Sequence, residues 1–171
     1  MEYHLFWKTG PFCQWYQSEF TCSGMRYACA EQFMMQQKAL EFGDSHLAHC
    51  IMSTHNPEAQ KLLGQRVTPF DQAVWDQRAC AIVKRGNFEK FSQNVDLRTE
   101  LCATRGQILV EASPWDRRWG IGRRQGDPLA HVRTRWLGNN WLGFILTELR
   151  EEVFDRPSVV VDWKRTELNG I

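Results

Sequence analysis

Tyr27-Ala28-Cys29-Ala30-Glu31-Gln32-Phe33-Met34-Met35-Gln36-Gln37-Lys38-Ala39-Leu40 decides the reading of this chain. At 100° per residue, Glu31, Met34, Met35, Lys38 and Phe42 share one face of a helix, while Cys29, Phe33 and Leu40 share the opposite face. A helix that is apolar on two sides is expected to be buried on two sides. Glu31 and Lys38 interrupt one apolar stripe. Seven residues separate them, roughly 10 Å along the axis at about 1.5 Å per residue, too far for direct neutralisation. A carboxylate and an amine in an apolar wall are costly without other partners. Two readings stand: a reactive site, or a face bordering a solvent cleft.

The rest of the composition is ordinary. The chain has 171 residues, 43% hydrophobic and 24% charged, with a net charge of +1. That length suits one domain, and the charge gives no global pull toward nucleic acid or membrane. Any anion site must be local. Eight Trp are many for this length and favour cores, interfaces or stacking platforms. The six Cys (13, 22, 29, 50, 80 and 102) form no CxxC and no zinc spacing. Nor do the five His offer a metal set, so no metal or cofactor is expected. The opening residues carry no apolar leader segment, and no run approaches the ~18 residues of a membrane span. The expectation is a monomer with reduced thiols in the cytoplasm or nucleus and no membrane partner.

Outward from the helix, a strand is expected at 3–7, a loop at 8–17, and a hairpin from Glu19–Cys22 to Met25–Tyr27 across Ser23-Gly24. Gly43 suits the end of the long helix, and Asp44 or Ser45 caps the next, at about 45–53. Asn56-Pro57 starts a short helix ending at Gly64. Thr68 or Asp71 begins another through Trp75, Ala79, Ile82 and Val83, with a break or bend expected at Gly86. Asp96 caps a helix to about Thr104. Gln107–Glu111 is a strand. Asn140 to about Phe154 is a helix, and Val159-Val160-Val161 is a candidate strand. The sum is an α+β, helix-dominated single domain with a few short strands.

Residues 112–139 hold four Gly, two Pro, three Trp and six Arg. A loop this long is usually functional. Arg binds phosphate bidentately, Gly lets backbone amides approach an anion, and Trp stacks on a base or shields a sugar. That suits a nucleotide or sugar pyrophosphate. A solvated basic loop whose Trp residues plug the core fits the same residues. Gly138-Asn139-Asn140 leads into a helix start, a natural phosphate seat, or a plain cap. Phe12-Cys13-Gln14-Trp15-Tyr16 offers an aromatic shelf, or a small hydrophobic cluster.

Six ordered stretches resemble the NADAR (YbiA-like) superfamily of N-glycosidases. Phe12-Cys13-Gln14-Trp15-Tyr16 resembles its F-S-N-F-Y entry, and Tyr27 to Ala39 its Y-P-T-x-E-H-x-x-Q-A-Q-K-A helix. Trp75-Asp76 sits at a W-D step, and Lys90-Phe91-Ser92-Gln93-Asn94 with Leu97-Arg98 resembles K-F-x-Q-N…L-R. Leu109 to Ser113 with Asp116, Trp119, Gly120, Ile121 and Gly122 resembles L-V-E-A-S-x-x-D-x-x-W-G-I-G, and Gly138 to Gly143 resembles G-x-N-x-L-G. The likeness spans roughly residues 5–152 of one domain over 1–171, with 155–171 as an extension. Gln32, Cys29 and Met35 depart from the family's His, Thr and first Gln. Helix capping must therefore differ.

The resemblance implies cleavage of a bond between ribose C1 and a base nitrogen. Its implied substrates are ADP-ribosylated guanine, as nucleoside or in DNA or RNA, or early riboflavin-pathway ribosylamines and other small phosphorylated ribosides. A reader that binds ADP-ribose or NAD without cutting is the third alternative. The expected catalytic residues are Glu31, Lys38 and Asp116. The expected substrate-binding residues are Phe12, Gln14, Trp15, Tyr16, Trp75, Arg118, Trp119, Gly120, Ile121, Gly122, Gly138 and Asn140. Glu31 would stabilise oxocarbenium charge or activate water. Lys38 would attack C1 as a free amine, or stay charged and hold a hydroxyl or phosphate.

Overall fold

The computed structural model describes residues 2–154. The elements are β1 (Glu2–Phe6), β2 (Phe20–Cys22), β3 (Met25–Tyr27), α1 (Ala30–Glu41), α2 (Ser45–Met52), α3 (Pro57–Gln65), α4 (Gln72–Gln93), α5 (Val95–Ala103), β4 (Gln107–Glu111) and α6 (Trp141–Glu148). Short 3-10 turns cover Pro128–His131 and Arg133–Arg135, and a π-helical segment covers Leu149–Phe154. Helices dominate and the sheets are two-stranded, so the class is α+β. The chain divides into two compact units: among the described residues, 2–16 with 95–154, and 17–94. The candidate strand at 159–161 and the extension at 155–171 lie outside the described residues.

In the 17–94 unit, α1 packs against α2, α3 and α4. That explains a helix buried at Ala30 through Gln36 and again at Ala39. Its buried amides are all engaged. Gln32 accepts from the Ala28 N–H at 2.7 Å and donates to the Ile51 and Thr54 carbonyls at 3.2 and 3.0 Å. Gln36 accepts from the Tyr27 hydroxyl at 3.2 Å. Cys29, at the N-cap, makes no side-chain cap bond, so Gln32, three residues on, ties down the helix start. The β2–β3 hairpin pairs Phe20 with Tyr27 and Cys22 with Met25, and Ser23 and Gly24 both take positive φ in its turn. Phe20, Tyr27 and Phe33 form an aromatic core cluster with ring centroids 5.0–6.0 Å apart.

Three expectations are corrected here. Leu40 is 48% exposed and does not share the burial of Cys29 and Phe33. Gly64 does not end α3, which runs to Gln65. Gly86 neither breaks nor bends α4, which is one helix of 22 residues. The reason for both glycines is close packing. A Cβ on Gly64 would fall 2.1 Å from Met35 Sδ, and one on Gly86 would fall 2.5 Å from Phe33 Cδ1. Local capping follows the sequence: Asp44, Asn56 and Asp71 each accept from first-turn amides of the helix that follows.

In the other unit, β1 and β4 pair in parallel from Glu2↔Gln107 to Phe6↔Glu111. Val110, Ala112, Ile121 and Ala130 form its core cluster, flanked by Tyr3, Leu5, Ile108 and Trp136. Side chains of α6 and of the residue that precedes it complete the strand's polar groups: Thr147 Oγ1 accepts from the Leu109 N–H at 3.0 Å, and Asn140 bonds to Glu111 and Leu109. Two further corrections belong here. Asp96 lies inside the first turn of α5, not ahead of it. The last helix changes to π geometry at Leu149, where Arg150 is fully buried and donates to the Thr104 carbonyl and hydroxyl at 2.8 Å.

Candidate active site

Glu31, Lys38 and Trp75 belong to the 17–94 unit. Glu31 lies in the first turn of α1 and is 6% exposed. The positive end of the helix is a favourable place for a carboxylate. Lys38 lies in the last turn, half-buried. Its Nζ donates to the Gly64 carbonyl at 2.8 Å, one of the four carbonyls that the end of α3 cannot satisfy internally. The same Nζ lies 4.2 Å from the Phe70 ring centroid and 5.8 Å from that of Trp75, within the range of cation–π attraction. The structure therefore brings Lys38 and Trp75 together and adds two groups that the sequence reading missed, Phe70 and the Gly64 carbonyl. One signal pointed to Phe70. With Asp71 as the cap of α4, Phe70 and Trp75 occupy the positions before the cap and four after it, where a hydrophobic staple sits.

Beside Glu31, Cys29 is fully buried and its thiol donates to Gln60 Oε1 at 3.2 Å. Burial pushes the thiol up to about 11, Glu31 reinforces the rise, and the Gln32 and Glu31 backbone and Lys90 oppose it. A thiol held protonated is a poor nucleophile.

The remaining candidates belong to the other unit. Asp116 Oδ1 accepts from the Arg118 and Trp119 amides, both at 2.8 Å, and the Asp116 N–H donates to Ser113 Oγ at 3.2 Å. Its carboxylate is thereby locked in an Asx turn. Trp119 packs edge-on to Trp141 at 5.6 Å, and the Arg118 guanidinium lies 5.5 Å from the Trp141 ring centroid. Gly120 and Ile121 are buried and Gly122 is half-buried. Gly138 serves a close approach, since a Cβ there would fall 2.4 Å from the Gly120 carbonyl oxygen.

The expected phosphate seat at Asn140 has a different occupant. The Asn140, Trp141 and Leu142 amides donate to the carbonyls of Gly120, Arg118 and Trp119 at 3.1, 3.2 and 3.1 Å. The Asn140 side chain, fully buried, accepts from the Glu111 N–H and donates to the Leu109 carbonyl, both at 2.9 Å. Phe12 is buried edge-on against His4 and Phe6. It lines a cavity of about 420 Å³ with His4, Glu100 and Gln125. Gln14 and Trp15 are half-buried and Tyr16 is 38% exposed.

Among the described residues, no group of three or more His, Cys, Asp or Glu is placed to hold a metal ion. No described helix is long and apolar enough to cross a membrane.

A buried carboxylate, Glu31, and a half-buried amine, Lys38, thus stand on one helix of an α+β fold. The NADAR domain family model matches residues 5–154, and the chain belongs to that family. It is similar to Protein irg-1 of Caenorhabditis elegans, with 41% identity over 134 residues, covering 77% of this chain and 63% of that protein. The chain thus spans less than two thirds of irg-1's length. It is also similar to N-glycosidase R617 of Acanthamoeba polyphaga mimivirus, with 40% identity over 146 residues, covering 82% of this chain and 86% of that one. Among solved structures, the NMR structure of the E. coli protein YbiA shares the fold, with a TM-score of 0.72 at 23% identity over 91% of this chain and 88% of that one.

Proposed function

We propose that this chain is an N-glycosidase that hydrolyses the bond between a ribose C1 and a nucleobase nitrogen, and that its substrate is ADP-ribosylated guanine. One observation carries the reading. A buried carboxylate, Glu31, and a half-buried amine, Lys38, stand at opposite ends of α1, in a chain 40% identical to a protein named an N-glycosidase.

Breaking the C1–N bond develops positive charge at C1, and Glu31 is the group that stabilises it. Lys38 Nζ, once deprotonated, forms a bond to C1 while the C1–N pair leaves with the base. Opening of the C1–O4 bond then gives an imine. The two amine protons end on the base nitrogen and on O4. Water adds to the imine, restores both protons to the enzyme, and frees the sugar. The Gly64 carbonyl and the Phe70 ring favour a second role for Lys38, because both stabilise the ammonium form. In that role Lys38 stays charged and holds a substrate hydroxyl or phosphate, and water attacks C1 directly. Trp75, whose ring centroid lies 5.8 Å from Lys38 Nζ, walls the sugar.

The preference for an ADP-ribosyl substrate rests on the 112–139 segment. Arg123 is tied to Asp127 at 2.9 Å, and Arg133 lies over Phe144. Arg117, Arg124 and Arg135 are exposed, as is Trp115 at 85%. With Arg133, which is exposed as well, four arginines of the segment face solvent, a number that suits a pyrophosphate better than a single phosphate, and Trp115 offers a stacking face.

The test is incubation of the protein with ADP-ribosylated guanosine, with an oligonucleotide bearing the same adduct, and with riboflavin-pathway ribosylamines, following the released sugar by mass spectrometry. Free ADP-ribose is expected from the first two. Turnover of the ribosylamines alone would replace the substrate assignment, and binding of ADP-ribose without turnover of any substrate would make the chain a reader.

A further inference from the structure

Lys38 reaches its place through contacts from three elements. Its own helix, α1, ends one turn beyond it. The Gly64 carbonyl comes from the last turn of α3, and Phe70 comes from the segment between α3 and α4. These contacts are fixed independently of the lysine. A Cβ on Gly64 would fall 2.1 Å from Met35 Sδ, so the glycine lets α3 lie against α1 and brings its carbonyl within reach. Phe70 is braced from the side by Phe42, ring to ring at 5.0 Å and 62°. It precedes Asp71, whose carboxylate is bonded to the Ala73 and Val74 amides at 2.8 and 3.1 Å. Yet Phe70 is 40% exposed. A large apolar side chain held this exposed, with one face given to an amine, does little for the core.

We propose that Phe70 and the Gly64 carbonyl form a holder that fixes the charged Lys38 side chain where it meets substrate, with Phe70 as a positioning residue. The holder rests on the assignment of Lys38 to the reaction. A carbonyl supplies one directional acceptor and the ring supplies a broad attractive face, so the amine is held on two sides. Long lysine side chains lose much rotamer freedom when fixed. Fixing Nζ before substrate arrives removes that cost from the reactive complex. The contrary account is that Lys38 merely caps the end of α3 and Phe70 only covers it. That account assigns Phe70 to stability and gives it no effect on turnover.

The test uses the full chain with Phe70→Leu, which keeps the bulk and loses the π face, and Phe70→Tyr, which keeps both. Reductive methylation at one fixed pH, read peptide by peptide, reports how firmly each lysine amine is held without any substrate. Lys61, exposed on α3, is the internal reference. Phe70→Leu is expected to raise methylation of Lys38 relative to Lys61 by about three- to tenfold, the scale of a lost cation–π contact, and Phe70→Tyr to return it to the wild-type ratio. With ADP-ribosylated guanosine, Phe70→Leu is expected to lower kcat about tenfold with KM within about twofold, and Phe70→Tyr to restore kcat. An unchanged Lys38:Lys61 ratio in Phe70→Leu overturns the holder. A raised ratio with unchanged kcat overturns the positioning role. If the ratio responds as expected but wild-type protein releases no ADP-ribose, the holder stands and the substrate assignment falls.

Discussion

The side-chain amide of Asn140 bridges alternate residues of β4: Oδ1 takes the Glu111 N–H and Nδ2 gives to the Leu109 carbonyl, each at 2.9 Å. It does so from a left-handed backbone, at φ 56 and ψ 34, which Asn tolerates better than most residues. The residue at the head of α6 thus acts as a short stretch of neighbouring strand. Asn140→Ala would strand two backbone groups of β4 and place Ala at positive φ. We expect a loss of about 2–4 kcal/mol in urea unfolding with little change in slope. A fall in substrate affinity without a fall in stability would instead return Asn140 to ligand binding.

Gly64 and Gly86 give a paired test of packing. A Cβ on Gly86 meets the ring of Phe33, which is 1% exposed and hemmed in by Phe20 and Tyr27. A Cβ on Gly64 meets the thioether of Met35, which can change rotamer. Ala gains about 1 kcal/mol over Gly in helix propensity at either position. Overpacking costs about 1–3 kcal/mol. Gly86→Ala should therefore be clearly destabilising in thermal melts, and Gly64→Ala milder. Equal melting temperatures for the two variants would contradict this reading.

These two glycines also show where the sequence stops being legible. The strand at Gln107–Glu111, the Ser23-Gly24 turn and the caps at Asp44, Asn56 and Asp71 rest on neighbours within a few residues, and each is visible in the sequence. Gly86 reads as a breaker, because its partner Phe33 is 53 residues away. Asn140 reads as a cap with free amides ahead of it, because its true partners lie near 110 and 120. The same holds for the candidate site. The face of α1 carrying Glu31 and Lys38 follows from spacing alone. Phe70 enters only when α3 and α4 bring their ends to that face, and its one local signature is its place before the Asp71 cap.

Glu31→Gln is close to isosteric and removes only the charge. If Glu31 stabilises positive charge at C1, kcat for ADP-ribose release should fall about 10²–10³-fold. KM should change little, because the charge it answers develops in the transition state. A variant with unchanged kcat would remove Glu31 from the chemistry.

Lys38→Arg separates the two roles of the amine. Arg keeps a cation and can donate to the Gly64 carbonyl, but it stays protonated and forms no imine. If the amine attacks C1, the variant should lose about 10³-fold or more in turnover. Borohydride added to wild-type protein during turnover should leave a sugar adduct on Lys38. Full activity in Lys38→Arg, with no adduct in wild type, would assign Lys38 to holding the substrate.

The buried thiol of Cys29 predicts an alkaline weakness. Its folded value is raised from the ordinary 9.0 to about 11, chiefly by burial. Below about pH 9 both folded and unfolded chains keep the proton, so the contribution is fully present. Between 9 and 11 the unfolded chain gives up its proton while the folded chain holds it, and stability falls as pH rises. A displacement of this size corresponds to roughly 2–3 kcal/mol. Tyr27, also raised by burial, adds to the decline above about pH 10. Cys29→Ala should be less stable at neutral pH, because a buried group and the donor to Gln60 are lost. Its stability should nevertheless decline less steeply from pH 9 to 11 than that of the wild type. Urea midpoints measured across that range decide the matter: parallel curves for the two proteins would show that the Cys29 proton is not what the alkaline side removes.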